Sequence, residues 1–310
     1  MFSKTSLSKC LAINRYRERV GDGLAIQNNR RRVSIDELES GVKNGRFVYA
    51  EFVESGSEFS FCIAQQSDWE TNILGKLCLK VVYFFSTSYE TANYLLDDFI
   101  RSIPKHAYLI SFDSNLSPTF QDLAFQEKGF HIGLHYYDWE GNTTEIDRKF
   151  STFHKRFNYF VPEQKDLKEF RLFADSFSRT GRFSEDPYLK VCAGKIYAEW
   201  VTGALADEGK MVVGYRKENN LQGFITFDIP VDGLARLGIL RTNDSHDAGL
   251  VGYSLISYAC HHIINNGGKK IEFGTSKSNH AINSIYLNNG FRITNSGIQF
   301  HWVNTTMVPF

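Results

Sequence analysis

LARLGILRTNDSHDAGLVGYSLISYACHHIINNGG, residues 234–268, decides how the chain is read. Residues 234–242 form an apolar strand pattern, NDSHDAGL is a polar loop, and residues 251–265 have helical periodicity that ends at Asn-Asn-Gly-Gly. A strand therefore delivers a loop carrying Gly249 and Gly252 into the start of a helix. Such a start offers unpaired N–H groups and the positive end of the helix dipole, and glycine lets a pyrophosphate come close. Two glycines in such a turn also arise for steric reasons alone. The next stretch, KKIEFGTSKSNHAINSIYLNNGFRI (269–293), adds a strand over 270–275, an Asn-bearing loop and a helix over 280–287. That helix places Tyr286 four residues before Gly290-Phe291, and two last strands follow over 291–294 and 298–303.

Upstream, residues 158–161 read as a strand, 163–177 as a helix, SRTGRFSEDP as a loop, 188–205 as a helix, and 211–216 and 223–229 as strands. The N-terminal half opens with a loop or weak hairpin over 15–33 and two strands over 48–64 about Ser-Gly-Ser. A β-α-β unit follows over 80–85, 88–101 and 107–112, the helix carrying Tyr89, Ala92, Leu95, Leu96 and Phe99 on one face. A helix over 120–127 stops at Gly129, and 130–139 returns to strand. Residues 140–155 are polar and aperiodic, so the domain boundary is expected near residue 155, giving domains 1–155 and 156–310. LAFQEKGFHIGLHYYDW (123–139) and IYLNNGFRITNSGIQFHWV (285–303) share a helix, Gly-Phe, a strand and an aromatic ending, which suggests a partial duplication. The expected fold class is α/β (α+β), two domains each built of sheet and helices.

Length and composition bound the function. The 310 residues suit two domains, and 42% hydrophobic residues suffice for sizeable cores. Lys plus Arg (35) equals Asp plus Glu (35), so no global field favours nucleic acid or an anionic membrane, and neither partner is expected. The five cysteines are scattered without C-x-x-C, against a disulfide framework or thiolate zinc site. No apolar segment is long enough to span a bilayer and no signal peptide is evident, so a soluble cytoplasmic protein is expected.

Over residues 157–303 the order and spacing of these motifs resemble the GNAT superfamily of acyl-CoA-dependent N-acyltransferases. The family's loop reads R/Q-x-x-G-x-G/A; with its last glycine at Gly252, this chain departs from it at Asp247 and Leu250. SDWETNILG (67–75), SRTGRFSEDP (178–187), SNHAINSIYLNNGF (278–291) and FHWV (300–303) are further similar to bacterial TDP-fucosamine acetyltransferases and to acyltransferases of dTDP-3-amino-3,6-dideoxyhexoses.

The resemblance implies a C-terminal GNAT fold with a mixed, mostly antiparallel sheet, and an N-terminal domain like a partial GNAT half. It implies acyl-CoA as co-substrate without a metal, a dTDP-amino sugar as acceptor, acetyl or 3-hydroxybutanoyl as the group moved, and a place in surface polysaccharide (O-antigen or capsule) biosynthesis. The carrier would lie on Leu240, Thr242, Gly249, Val251, Gly252 and Tyr253, flanked by Asn279 and Asn283. Backbone N–H groups where two strands splay would hold the oxyanion, and Tyr286 would be the general acid. Glu70 is the favoured base, with Glu185, Asp186, a histidine or water as alternatives. Trp69, Arg182, Phe183, Asp186 and Trp200 would meet the sugar nucleotide. A homodimer is a further expectation.

Each position also has a plain structural reading: helix capping for Asn279, packing on the sheet for Tyr286, a structural carboxylate for Glu70, and core packing for the aromatics. His131 and His135 share a strand face without a completing thiolate or carboxylate pattern and read as a satisfied pair. His261-His262 and the Arg30 to Arg32 run read as solvent-side features. Competing functions are acyl transfer to another small amine or to a protein amine, and a non-catalytic nucleotide-sugar sensor.

Overall fold

The computed structural model describes residues 6–20, 26–28, 31–33, 35–115, 120–150, 153–176 and 181–307. In chain order these form α1 (Ser6–Val20), β1 (Ile26–Asn28), β2 (Arg31–Val33), α2 (Ile35–Lys43), β3 (Phe47–Ser55), β4 (Glu58–Gln66), α3 (Asp68–Leu74), β5 (Leu77–Ser86), α4 (Tyr89–Ser102), β6 (Ala107–Asn115), α5 (Phe120–Glu127), β7 (His131–Asn142) and α6 (Thr143–Phe150). They continue with β8 (Tyr159–Phe160), α7 (Leu167–Asp175), α8 (Arg182–Glu185), α9 (Ala193–Ala206), β9 (Lys210–Lys217), β10 (Asn220–Asp228), β11 (Leu234–Thr242), α10 (Ala248–Asn265), β12 (Lys270–Ser276), α11 (His280–Asn288) and β13 (Phe291–Val303). The fold is mixed α/β, its sheets flanked by helices. No helix among the described residues is long and apolar enough to cross a membrane.

The chain forms two compact units, Met1–Gly133 with Gly297–Phe310, and Leu134–Ser296. The expected boundary near residue 155 is corrected. Residues 140–155 are no linker, because β7 stays paired with β12 to Asn142↔Lys270 and Ile146 of α6 is fully buried in the core beside α10. Two further expectations change. Residues 15–20 close α1, where Ala12, Ile13 and Tyr16 are buried and Tyr16 stacks on Phe61 at 4.6 Å, so packing overrides a charged, poorly periodic sequence. The last two strands are one: Asn-Ser-Gly suggests a turn, yet Gly297 pairs with Asn115 and Asn295 Nδ2 donates to Asp138 (3.1 Å), keeping the backbone extended.

In the first unit β3-β4-β5-β6 lie in order with the end of β13 beside β6; β5 and β6 are parallel and their other pairings antiparallel. Alternation along β4 sends Phe61 and Ile63 to a core with α1 and α2, and Cys62 and Ala64 to a core with α4 and α5. In the second unit the order is β13-β7-β12-β11-β10-β9-β8, with β11 and β12 parallel. Helix α10 supplies Val251, Leu255, Ile256, Ala259, Cys260 and Ile263 to its core.

The duplicated pattern has a structural counterpart. Gly129 (φ 86°) and Gly290 (φ 89°) both adopt the left-handed conformation that glycine tolerates, and each launches a buried phenylalanine, Phe130 or Phe291. Phe125 touches Phe84, Phe112, Phe130 and Phe300 and is fully buried. Phe125→Ala is expected to cost about 3–5 kcal/mol, read as a lowered urea midpoint.

Candidate functional site

Strands β11 and β12 run in register for three pairs, Leu234↔Lys270, Ala235↔Ile271 and Arg236↔Glu272, and then part. Each keeps its outer neighbour beyond that point: β11 stays with β10 to Thr242↔Gly223, and β12 stays with β7 to Ser276↔Tyr136. The cause is a bulge. Between Phe227↔Leu237 and Ile225↔Leu240, Gly238 and Ile239 face the single residue Thr226. A Cβ on Gly238 would run into the Thr226 hydroxyl, and that hydroxyl accepts the Ile239 N–H at 2.9 Å. The Asn243 N–H donates to the Gln222 carbonyl of β10 (2.9 Å). Backbone alternation then aims the Leu240 and Thr242 N–H groups at the side β12 has left.

Helix α10 starts beyond this opening. Its N-cap residue, Asp247, makes no side-chain capping bond, and the Gly249 and Leu250 N–H groups have no backbone acceptor among the described residues. Asp247 is exposed, and its carboxylate lies 3.6 Å from the Lys217 ammonium. Leu250 is half-exposed, nothing stands within 4 Å of a Cβ built on Gly249, and Gly252 lies against the Thr242 and Leu240 side chains. Tyr253 donates to Asn289 Oδ1 (3.0 Å), and Val251 is core.

Tyr286 has its ring in the second core, 3% exposed, against Phe273 (4.0 Å), Trp139 (5.9 Å) and Phe291 (5.2 Å). Burial, then the neighbouring Cys260, push its phenol up, so it is protonated at neutral pH. It does not stand on an open wall, as a group expected beside the carrier's sulfur would. Asn279 takes the capping role, accepting the Ile282 N–H. Asn283 is committed to a lock: Trp139 Nε1 donates to Thr275 Oγ1 (2.9 Å), Thr275 Oγ1 to Asn283 Oδ1 (2.6 Å), and Asn283 Nδ2 to the Ser276 carbonyl (2.9 Å). This lock fixes the end of β12 to α11.

The segment expected to meet the acceptor is partly architectural. Arg182 lies 4.9 Å from the Phe183 ring, but Phe183 is fully buried beside Tyr197 rather than presented for stacking. Trp200 stacks on Tyr197 at 6.3 Å. Asp186, also fully buried, accepts the N–H groups of Tyr188 and Leu189 (2.8 Å each) and so shapes its own turn. Glu185 accepts from the Gly181 N–H and from Ser278 Oγ (2.9 Å), tying this segment to the loop after β12. In the first unit, Trp69 is 40% exposed on α3 and Glu70 is buried at 3%. Residues 178–180, like Arg30, lie outside the described residues. His261 stacks on His154 at 3.9 Å and His262 is half-buried with its pKa lowered by burial, so neither is simply a solvent-side group.

Sequence reasoning missed the Thr226–Ile239 bond and the Thr275–Asn283 lock. An isolated glycine inside a strand, Gly238, was the available signal for the bulge.

The sequence matches no family model and no curated protein. Its structure is similar to a functionally unknown conserved protein from Staphylococcus epidermidis (TM-score 0.58, 11% identity, 82% of this chain and 94% of that one). It is also similar to a GCN5-related N-acetyltransferase from Sphaerobacter thermophilus (0.52, 10%, 96% and 92%). A third similarity is to a fungal multi-domain β-N-acetylglucosaminidase described as having a GCN5-related glucosamine N-acetyltransferase region (0.52, 10%, 78% and 31%). The chain therefore has the GNAT fold.

Thr226→Val would leave the Ile239 N–H buried without an acceptor. A loss of about 1–3 kcal/mol is expected in denaturant titration.

Proposed function

We propose that the protein is an acyl-CoA-dependent N-acyltransferase acting on the amino group of a dTDP-linked amino-dideoxyhexose. The observation that carries the reading is the parting of β11 and β12 opposite the uncapped start of α10. A fixed pair of N–H groups there faces a space beside a helix end suited to phosphate. Acyl-CoA would lay its pyrophosphate against the Gly249 to Tyr253 turn and its thioester against Leu240 and Thr242.

Direct attack by the neutral amine on the thioester carbonyl forms a tetrahedral oxyanion. The Leu240 and Thr242 N–H groups would hold it; donors of this kind are worth about 3–4 kcal/mol each in hydrolases. The sugar ammonium first loses its proton to water. Tyr286, protonated and desolvated, is assigned the proton that the departing thiolate takes up, and the proton left on the attacking nitrogen returns to the phenol oxygen. For that it must meet the sulfur from within the apolar core, which makes the phenol the sharpest point of the proposal. Arg182 supplies a cation for the sugar nucleotide's diphosphate.

A second acceptor is favoured by one specific likeness, the fungal region named for glucosamine: an amino sugar without a nucleotide. Product analysis of acyl-CoA with dTDP-amino sugars, glucosamine and simple amines separates them; the proposal expects turnover that depends strongly on the nucleotide, and none with any amine would reject it.

Tyr286→Phe keeps the ring and is expected to lower kcat by about 10²–10⁴ while leaving CoA affinity unchanged; full turnover removes the assigned role. In the wild type, kcat/KM should rise with pH as the ammonium deprotonates. Because burial raises the phenol above its reference of about 10, no loss from its ionisation is expected below that pH. Asp247→Asn removes a negative charge next to the helix start without breaking a capping bond, so calorimetry should show CoA binding tighter by about two- to five-fold at low salt.

A further inference from the structure

The first unit holds a polar row that the proposed reaction does not use. It crosses three neighbouring strands on one face. Lys80 of β5 donates to Asp113 Oδ2 of β6 (3.0 Å), and Gln299 of β13, paired opposite Asp113, donates from Nε2 to Asp113 Oδ1 (2.6 Å). Gln299 Oε1 is 3.1 Å from His301 Nε2. Asp113, Gln299 and His301 are 6%, 4% and 0% exposed.

The chemistry of this row fixes a tautomer. An ionised carboxylate beside Lys80 only accepts, so the Gln299 amide nitrogen faces Asp113 and its oxygen faces His301. His301 must then donate from Nε2, which makes Nδ1 the basic nitrogen. A histidine whose far N–H is tied to a carboxylate-anchored partner is the outer-shell arrangement characteristic of metal-ligating imidazoles.

Two more observations point to the same place. The His131 ring stands edge-on to His301, centroids 6.1 Å apart, with a ring nitrogen of each within 4.8 Å of the other. Zinc–nitrogen bonds of about 2.0–2.1 Å put two tetrahedral ligands about 3.3 Å apart, within reach of a small turn of the half-buried His131. Ser111, paired directly opposite His301, buries its hydroxyl with no hydrogen-bond partner among the described residues, where a metal-bound water would supply one.

We propose that His131 and His301 bind a divalent transition-metal ion, zinc(II), in the first unit, with the remaining coordination positions filled by water. Imidazole pairs suit such ions and not magnesium or calcium. The inference does not rest on the acyl-transfer reading, and it replaces the expectation that His131 belongs to a merely satisfied pair.

The test uses the full chain without a histidine tag, stripped of metal and titrated with zinc(II), with cobalt(II) as the absorbance probe. Wild type is expected to take one ion per chain, to show cobalt d–d bands and to melt higher with zinc. His131→Asn, at a half-buried position, should abolish the bands and the shift. Gln299→Leu, which keeps both ligands, should weaken affinity by about 10–100-fold. The proposal is overturned if wild type takes up no ion, or if His131→Asn binds as wild type does. Equal affinity in Gln299→Leu would overturn the outer-shell part.

Discussion

The second unit turns on one backbone irregularity. A parallel strand pair would ordinarily continue its hydrogen bonds to the end of the shorter strand. Here three pairs are made, and the rest of β11 and β12 separate. The separation is stable because each strand's other edge is fully engaged and because the extra residue of β11 has its own acceptor, the Thr226 hydroxyl, at a position where only glycine fits beside it. Two backbone donors are thereby held toward the side that β12 has left, where no other strand pairs with β11 among the described residues. Satisfying them is left to a ligand or to water, and the site's chemistry follows from that constraint.

Tyr286 carries a packing role beside the chemical role proposed for it. Its ring fills the corner between Trp139, Phe273 and Phe291, and replacing it by a small residue would open a cavity. Its hydroxyl contributes little to that packing. A phenol in an apolar setting resists ionisation, so in the proposed reaction it would hydrogen-bond to the departing thiolate and give up its proton only as it regains one from the attacking nitrogen. In the proposed reaction the same burial would have the thioester reach inward along the parted strands. Asn283, expected to flank the carrier, instead helps hold that route's wall by pinning Thr275 to α11.

Much of the element order could be read from periodicity and glycine placement, because strands and helices such as β11 and α4 have a clear apolar face. The β11 range is an example: Ala235 to Ile239 alternates between core and surface, and both ends of the strand are marked by polar turns. What could not be read depends on long-range pairing. Nothing local in Arg15 to Val20 announces a helix; Tyr16 becomes decisive only once Phe61 and Tyr83 are brought beside it. Asn295-Ser296-Gly297 has turn composition, and only Asp138 and Asn115 on other strands hold it straight. For the site, residue types were visible but their engagement was not. Asp186 and Phe183 are chemically apt for a sugar nucleotide, yet one shapes a turn and the other fills the core.

The duplicated halves explain why only one is assigned the chemistry. In the first unit β5 also carries an extra residue, Val82, against β4, and its parallel pairing with β6 likewise stops at Val81↔Phe112. The geometry of parting is thus kept in both halves. The helix that follows differs. The turn into α4 contains Thr87 and Ser88 and no glycine, and the Ser88 hydroxyl accepts the Thr91 N–H, closing the helix end with its own side chain. At the place of Tyr286, four residues before the left-handed glycine, the first unit has Phe125, packed edge-on to Phe130 at 4.9 Å much as Tyr286 meets Phe291 at 5.2 Å. The aromatic ring is therefore an architectural requirement of this corner in both halves. The phenolic oxygen and the uncapped helix end occur together, and only in the second unit. Packing alone would be met by phenylalanine twice; the proposed acyl-CoA carrier would use both of the features that set the second copy apart.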